Sequence, residues 1–266
     1  MAGAWGGGTQ SNRGFGNPPI VPPAKADMLL AEENMLRVAV VGADEQIRAA
    51  LGSFPGVLLV ATTEECDAVL NPDRYLPSRQ LIHRELSAGK LGEPGLVRMH
   101  RWLGAAAKPD KSSPLLPTGL LQDLDVALWL VGRPVELVFA VERAAHGRFT
   151  QVQLGFAGAG MALIDYTDRL PAGEGYAALS VIGSAGAAYA DDHQNMQLLF
   201  RGGRPQGLRT DERAAASSLM IREFAADLAA GHDLRASVAD WRTVLRVAGA
   251  AQASLATREA VRLEDA

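Results

Sequence analysis

The sequence predicts a mixed α/β chain of the α+β kind: one βαβ unit at the start, then a large open antiparallel sheet packed by helices. Three observations carry this expectation. Residues 36–42 read LRVAVVG and residues 57–61 read VLLVA, two apolar, β-branched runs separated by a helical pattern, which is how buried parallel strands are written. Between Val135 and Phe200, runs of β character alternate with glycine turns, enough for an antiparallel meander of five or six strands. Two long helical patterns, Glu212–Ala230 and Val238–Thr257, close the chain.

In chain order, residues 1–35 form a Gly/Pro-rich arm, and residues 1–27 hold six glycines and four prolines around Trp5, Arg13 and Phe15. Such a stretch lacks the apolar content to offset its ordering entropy, so it is expected to be flexible or to order across a partner through Trp5 and Phe15. It has no basic start followed by an apolar run, so a cytoplasmic chain is expected. The first strand leads into a helix over Asp44–Leu51 with Ile47 and Leu51 inward, then a turn at Ser53-Phe54-Pro55-Gly56 and the second strand. A third short strand, Asp67–Leu70, stops at Asn71-Pro72-Asp73. Pro77–Gly89 reads as a helix with Ser78 as cap, Leu81, Ile82 and Leu86 on one face, and Gly89 as its stop. Gly92-Glu93-Pro94-Gly95 turns into a strand over Leu96–Leu103; Lys108–Pro117 is a loop; Leu120–Val131 is a helix ending at Gly132-Arg133-Pro134. Turns are expected at His146-Gly147, Gly158-Ala159-Gly160 and Ala172-Gly173-Glu174-Gly175, and Ser237 is the expected cap of the last helix. The expected division is an arm over 1–35, a short α/β segment over 36–72 and a sheet domain over 73–266.

Composition excludes several functions. The 266 residues are 48% hydrophobic and 21% charged, with net charge −4 and a pI near 5.8, so no nucleic-acid partner is expected. The longest uncharged runs, Phe149–Ile164 and Gly175–Ala190, are sixteen residues each, short of the ~20 that a membrane span needs. A single cysteine, Cys66, leaves no intrachain disulfide and no CxxC site. The five histidines, His83, His100, His146, His193 and His232, fall at no metal-ligand spacing, so no metal is expected. Asp191-Asp192-His193 reads as a polar turn, because neighbours on a strand point to opposite faces.

Several phrases, taken in order, resemble the Gfo/Idh/MocA family of nicotinamide-dependent oxidoreductases. They are Arg74-Tyr75-Leu76-Pro77-Ser78 followed by Ser87-Ala88-Gly89-Lys90-Leu91-Gly92-Glu93-Pro94; Asp125 through Trp129-Leu130 to Gly132; Val181-Ile182-Gly183-Ser184-Ala185-Gly186; and Phe224–Gly231 with Ser237-Val238-Ala239-Asp240 and Ala250–Val261. The resemblance spans about residues 71–263 and implies a Rossmann domain joined to a C-terminal domain with an open antiparallel sheet. It also implies pairing of subunits through the exposed face of that sheet.

The chain departs from that pattern where the chemistry resides. Leu36–Leu70 has room for about one βαβ unit, where a dinucleotide-binding domain needs two βαβαβ halves, so a truncated Rossmann remnant is expected. In place of G-x-G-x-x-G stands Gly42-Ala43-Asp44-Glu45-Gln46-Ile47. Gly42 is the only fingerprint glycine retained, and Asp44 and Glu45 put negative charge where a diphosphate would lie, although they also suit the helix dipole. The family's Glu-Lys-Pro motif is absent. Aligning its D-x-G-x-H-x-x-D pattern on Asp125 sets Thr118, Leu120 and Gln122 at the first Asp, the Gly and the His. Glutamine cannot act as a general base near neutral pH, and no bound cofactor is expected unless a partner subunit completes an NAD(P) site.

Two classes of function remain. The first is a non-catalytic subunit that assembles with itself or with a full-length paralogue through the sheet face, since an open apolar face left bare invites aggregation. The second is a non-redox enzyme, a lyase, isomerase or cyclase, reusing the substrate pocket with Gln122, Asp123, Asp125 or His100 in it. An oxidoreductase completed across a subunit interface is a third, weaker reading. Strand alternation puts Arg98, His100 and Trp102 on one face, suited to a ligand or to an interface.

Overall fold

A computed structural model describes residues 35–42, 45–104, 116–143, 149–170, 175–191, 196–200, 206–208 and 212–263. Trp5, Phe15, Asp44, His146, Asp192 and His193 lie outside the described residues. Strand β1 (Leu36–Val40), helix α1 (Glu45–Gly52), β2 (Val57–Val60) and β3 (Ala68–Leu70) form the opening segment. All three strands are parallel, in the order β2-β1-β3. Both faces of this small sheet are buried, which is why its strands read as unbroken apolar runs. Val38 and Val40 pack with Ile47 and Leu51 of α1, while Ala39, Val41 and Val69 on the other face enter the main core.

A 3-10 turn (Pro72–Tyr75) leads to α2 (Pro77–Ser87), β4 (Pro94–Gly104) and α3 (Thr118–Val131). Strands β5 (Val135–Arg143), β6 (Phe149–Phe156), β7 (Met161–Leu170), β8 (Tyr176–Gly183), β9 (Ala187–Asp191), β10 (Met196–Phe200) and β11 (Gln206–Leu208) follow. Then come α4 (Glu212–Ala230), α5 (Arg235–Thr257) and the two-residue strand β12 (Val261–Arg262). The second sheet has nine strands in the order β11-β10-β9-β8-β4-β7-β6-β5-β12.

The mixed α/β class expected from the sequence is borne out, as are six strands between Val135 and Phe200. They do not form a simple meander. β4 inserts between β7 and β8, pairing parallel with β7 and antiparallel with β8, so a strand from before α3 becomes the centre of the sheet. Its odd positions, Val97, Met99 and Arg101, are buried, and its even positions face the uncovered side. Helices α3 and α5 cover the buried face, where Val97, Met99, Val138, Val152 and Ile164 meet Leu120, Leu124, Val244 and Val247. On the small sheet, Met220 and Phe224 of α4 join the cluster around Val38 and Val40, with Phe54 edge-on to Phe224 at 5.9 Å.

Two expected caps have other roles. Ser78 does not cap α2: its backbone N–H and hydroxyl both donate to the carboxylate of Glu212, at 2.8 Å each, so one free N-terminal donor of the helix is met from a distant element. The last helix begins at Arg235, placing Ser237 in its first turn. There the hydroxyl donates to Leu234 O (2.6 Å) and accepts the Val69 N–H (3.0 Å). That N–H stands on the outer edge of β3, so one side chain closes a strand edge that would otherwise be unpaired.

Replacing Ser237 with alanine leaves this N–H without its partner. The expected loss is about 1–3 kcal/mol, read as a lower midpoint in urea unfolding, whereas Ser217→Ala on the exposed surface of α4 is expected to change little.

Candidate functional site

In open α/β sheets, ligands sit beyond the carboxyl ends of the strands. Here that crevice lies past Val40 and Leu70, and α3 closes it. Gln122, one of the sequence-derived candidates, is 7% exposed. Its side-chain Nε2 donates to Val41 O at 3.0 Å. Gly42 has φ +66°, and a Cβ there would stand 2.6 Å from Gln122 Nε2. The retained glycine therefore admits a glutamine side chain against the backbone at the end of β1.

Asp123 and Asp125, each 1% exposed, are held by arginines. Arg101, buried on β4, donates Nε to Asp123 Oδ2 (2.8 Å) and Nη2 to Asp123 Oδ1 (2.6 Å), and its Nη2 also donates to Asp73 of the 3-10 turn. Arg74 donates Nε to Asp125 Oδ2 (2.7 Å), Nη2 to Asp125 Oδ1 (2.6 Å) and Nη1 to Asp240 Oδ2 (2.9 Å). Asn71 adds Nδ2 to Asp125 Oδ2 (2.7 Å) and to Gln122 O (3.2 Å). Asp125 is thus an ion-pair partner in the middle of α3. Burial alone would raise the Asp73 carboxyl, but the charges of Arg101 and Arg79 and the hydrogen bond from Arg101 outweigh it and bring its pKa from 3.8 down to about 2. His83 stacks on Trp129 at 3.9 Å, with the Arg74 guanidinium 5.7 Å from the same indole. Arg74 and Asp125 also line a cavity of ≈200 Å³ beside β3.

The third candidate group lies elsewhere. Arg98, His100 and Trp102 share the uncovered face of the nine-stranded sheet, as alternation requires, on the side of β4 opposite Arg101. The site at α3 and this face are therefore separated by the sheet itself, and Gln122, Asp123 and Asp125 are not brought together with His100. Register pairs His100 with Asp165 of β7, whose Oδ2 is 3.0 Å from His100 Nδ1 and 3.7 Å from Arg98. Gln151 of β6 donates to Asp165 Oδ1 at 2.7 Å. Burial lowers the His100 pKa, Asp165 opposes it and Arg98 reinforces it; the net is below the ordinary value, so the imidazole is neutral near pH 7. Trp102 and Tyr176 lie 5.2 Å apart beside it, and Tyr176 donates to Asp191 Oδ2 at 3.1 Å. The large exposed hydrophobic residues among the described ones all stand on this face: Trp102 (38% exposed), Phe149 (49%), Met161 (52%), Ile182 (43%) and Tyr189 (39%).

Sequence reasoning missed Asn71, Asp73, Arg101 and Asp165, which hold the candidate groups. Arg101 and Asp165 depend on register between β4 and its neighbours, which alternation does not disclose. Among the described residues no group of His, Cys, Asp or Glu side chains could hold a metal ion, and no helix is long and apolar enough to cross a membrane.

No protein-family model matches the chain, and no curated protein matches it. Solved structures do. A probable dehydrogenase from Thermotoga maritima is similar over 85% of this chain and 99% of its own, with a TM-score of 0.62 and 17% identity. An oxidoreductase domain protein from Kribbella flavida is similar over 89% and 83%, with 0.68 and 14%. Levoglucosan dehydrogenase, solved in complex with NADH and levoglucosan, is similar over 86% and 81%, with 0.67 and 14%. The likeness establishes the fold: a parallel sheet joined to a large, mostly antiparallel sheet, as in oxidoreductases of the Gfo/Idh/MocA type.

The Asp73 pair fixes an acid-stability prediction. In the unfolded chain Asp73 protonates near its ordinary 3.8, and in the folded chain near 2. Its contribution, about 2 kcal/mol, is complete above about pH 4 and is lost as pH falls through about 2. Urea unfolding across that range is expected to show this loss in the native chain and a correspondingly flatter dependence in Asp73→Asn.

Proposed function

We propose that this chain is a non-catalytic, assembling subunit built on an oxidoreductase fold, and not a self-sufficient NAD(P)-dependent dehydrogenase. The observation that carries the reading is the seat of Gln122. A pyrophosphate needs open backbone at the first β-to-helix turn and a further glycine for close approach, and at that turn the Gln122 amide bonds Val41 and rests on Gly42. The groups present do not fit a dinucleotide, and no redox step is assigned to them. Asp123 and Asp125 add support, because a carboxylate with both oxygens on a guanidinium is poorly placed to exchange a proton with a substrate. The three parallel strands are read as what remains of a doubly wound domain that has six.

The surface at work is then the open face of the nine-stranded sheet. Five large apolar side chains exposed together form a patch of the kind that marks a protein interface. Arg98, His100 and Trp102 lie at its centre on β4, and the partner is a second copy or a full-length paralogue. Because these side chains are already exposed, charged replacements there alter association without disturbing the core. Sedimentation velocity is expected to give a dimer or higher assembly for the native chain and monomers for Met161→Lys and Ile182→Asp. A native chain that is monomeric alone and with a full-length paralogue, or variants that stay assembled, would contradict the proposal.

The His100–Asp165 contact favours one second reading, a proton-transferring, non-redox enzyme whose site is on the open face. Under it, His100→Gln abolishes function while association is retained; under the subunit reading, function follows assembly.

A further inference from the structure

Arg79 is 7% exposed, and its Nε is closed off from water with no hydrogen-bond partner. It stands in the first turn of α2, on the buried side of the helix with Ile82. Its guanidinium makes no hydrogen bond or ion pair to a described residue, whereas Arg74 and Arg101 beside it each hold carboxylates. Taking such a group out of water without a partner is strongly unfavourable. Nη1 and Nη2 are not sealed in as Nε is, so the tip of the side chain can be reached from outside.

The acids nearby are held by other groups. Against the burial that raises it, the Asp73 carboxyl is lowered by the charges of Arg101, Arg79 and Arg213. Three arginines therefore surround one carboxylate, yet only Arg101 pairs with it, and Arg101 is shared with Asp123. Glu85, the other buried charge of α2, is held by Lys90 at 3.2 Å. Glu212 directs both carboxylate oxygens to Ser78, where the N-termini of α2 and α4 offset its charge. Arg213 follows it on the exposed first turn of α4. Around Asp73, three guanidinium groups thus face two aspartates, and Arg79 and Arg213 pair with neither. One positive charge is left uncompensated. The parallel N–H donors of a guanidinium match the two oxygens of a carboxylate. A single excess charge suits a monoanion, and Asp73 and Glu212 close by disfavour a doubly charged phosphate.

We propose that Arg79 anchors a binding site for a small monocarboxylate, its buried fork taking the carboxylate while Arg213 at the entrance adds a second positive charge. Arg101 faces the covered side of β4, so this cluster and the association face lie on opposite sides of the sheet. The site goes beyond the subunit reading and does not rest on it. Loss of carboxylate binding leaves assembly intact, and the reverse also holds.

The test is calorimetric titration of the full chain with acetate, propionate, lactate and benzoate, with chloride, inorganic phosphate and glycerol run in parallel at constant ionic strength. At least one carboxylate is expected to bind saturably at one site per chain, in the micromolar-to-millimolar range, and to raise the urea unfolding midpoint. Chloride and glycerol are expected to do neither. Arg79→Lys keeps the charge without the fork and is expected to weaken binding at least about tenfold. Arg79→Met abolishes binding, and in carboxylate-free buffer its midpoint is expected at or above the native one, the opposite of what a purely structural arginine would give. Arg213→Ala, on the exposed surface, is expected to keep the native midpoint and to weaken binding about threefold. Absence of binding by all four carboxylates, binding indifferent to the Arg79 changes, phosphate bound more tightly than every carboxylate, or a large loss of stability in carboxylate-free Arg79→Met would overturn the proposal.

Discussion

Two guanidinium groups, Arg101 buried and Arg74 partly buried, tie both sheets of this molecule to a single helix. Arg74 grips Asp125 and Arg101 grips Asp123, each through two hydrogen bonds, and Asp73 shares the second clamp. One arginine comes from the turn that leaves the parallel sheet, the other from the central strand of the antiparallel sheet, and both acceptors are on α3. Charges with as little access to water as Arg101 and Asp123 are costly unless their partners are in place, and removing one partner of such a pair is worth about 3–5 kcal/mol. The position of α3 is therefore set by charge geometry as well as by the apolar contacts of Leu120 and Leu124, and the seating of Gln122 at Gly42 follows from it.

Under the proposed subunit function, the same clamps matter because they hold both α3 carboxylates on arginines instead of leaving them to a ligand. Gln122, Asp123 and Asp125 are the polar candidates that α3 carries. Here its three polar candidates turn toward the protein, one into the end of β1 and two onto arginines. Polar groups satisfied internally stabilise a core, and their cost falls on any ligand that would have to displace them. Exposed character is found instead on the far side of the sheet, where β4 alternates between a buried arginine and an uncovered histidine and tryptophan. That division of one strand into a structural face and an outward face is the basis for proposing association as the molecule's role.

Much of the fold is legible in the sequence because its signals are local. The runs at 36–42 and 57–61 are apolar on both faces, and helices such as Glu212–Ala230 carry their period openly. The central position of β4 is not legible, since a parallel partner far along the chain leaves no mark on alternation. Ser78 and Ser237 are misread as caps for a similar reason: a serine before a helical pattern looks like a cap, and only the distant Glu212 and Val69 reveal what each hydroxyl and N–H is bonded to. Of the candidate site, residue identities are legible and their roles are not. Gln122, Asp123, Asp125 and the Arg98–His100–Trp102 face can all be picked out, but the arginines and Asp165 that decide what these residues can do are contributed by elements 22 to 65 residues away.

The central claim is that α3 closes the crevice to a dinucleotide. Native mass spectrometry of the full chain with added NADH and NADPH tests it most directly, because it reports subunit number and bound mass in one spectrum. A spectrum of the assembled chain with no dinucleotide adduct is the predicted result. A stoichiometric adduct that survives dilution would contradict the account, because it would require Gln122 to leave Val41 and Gly42 and the crevice to open.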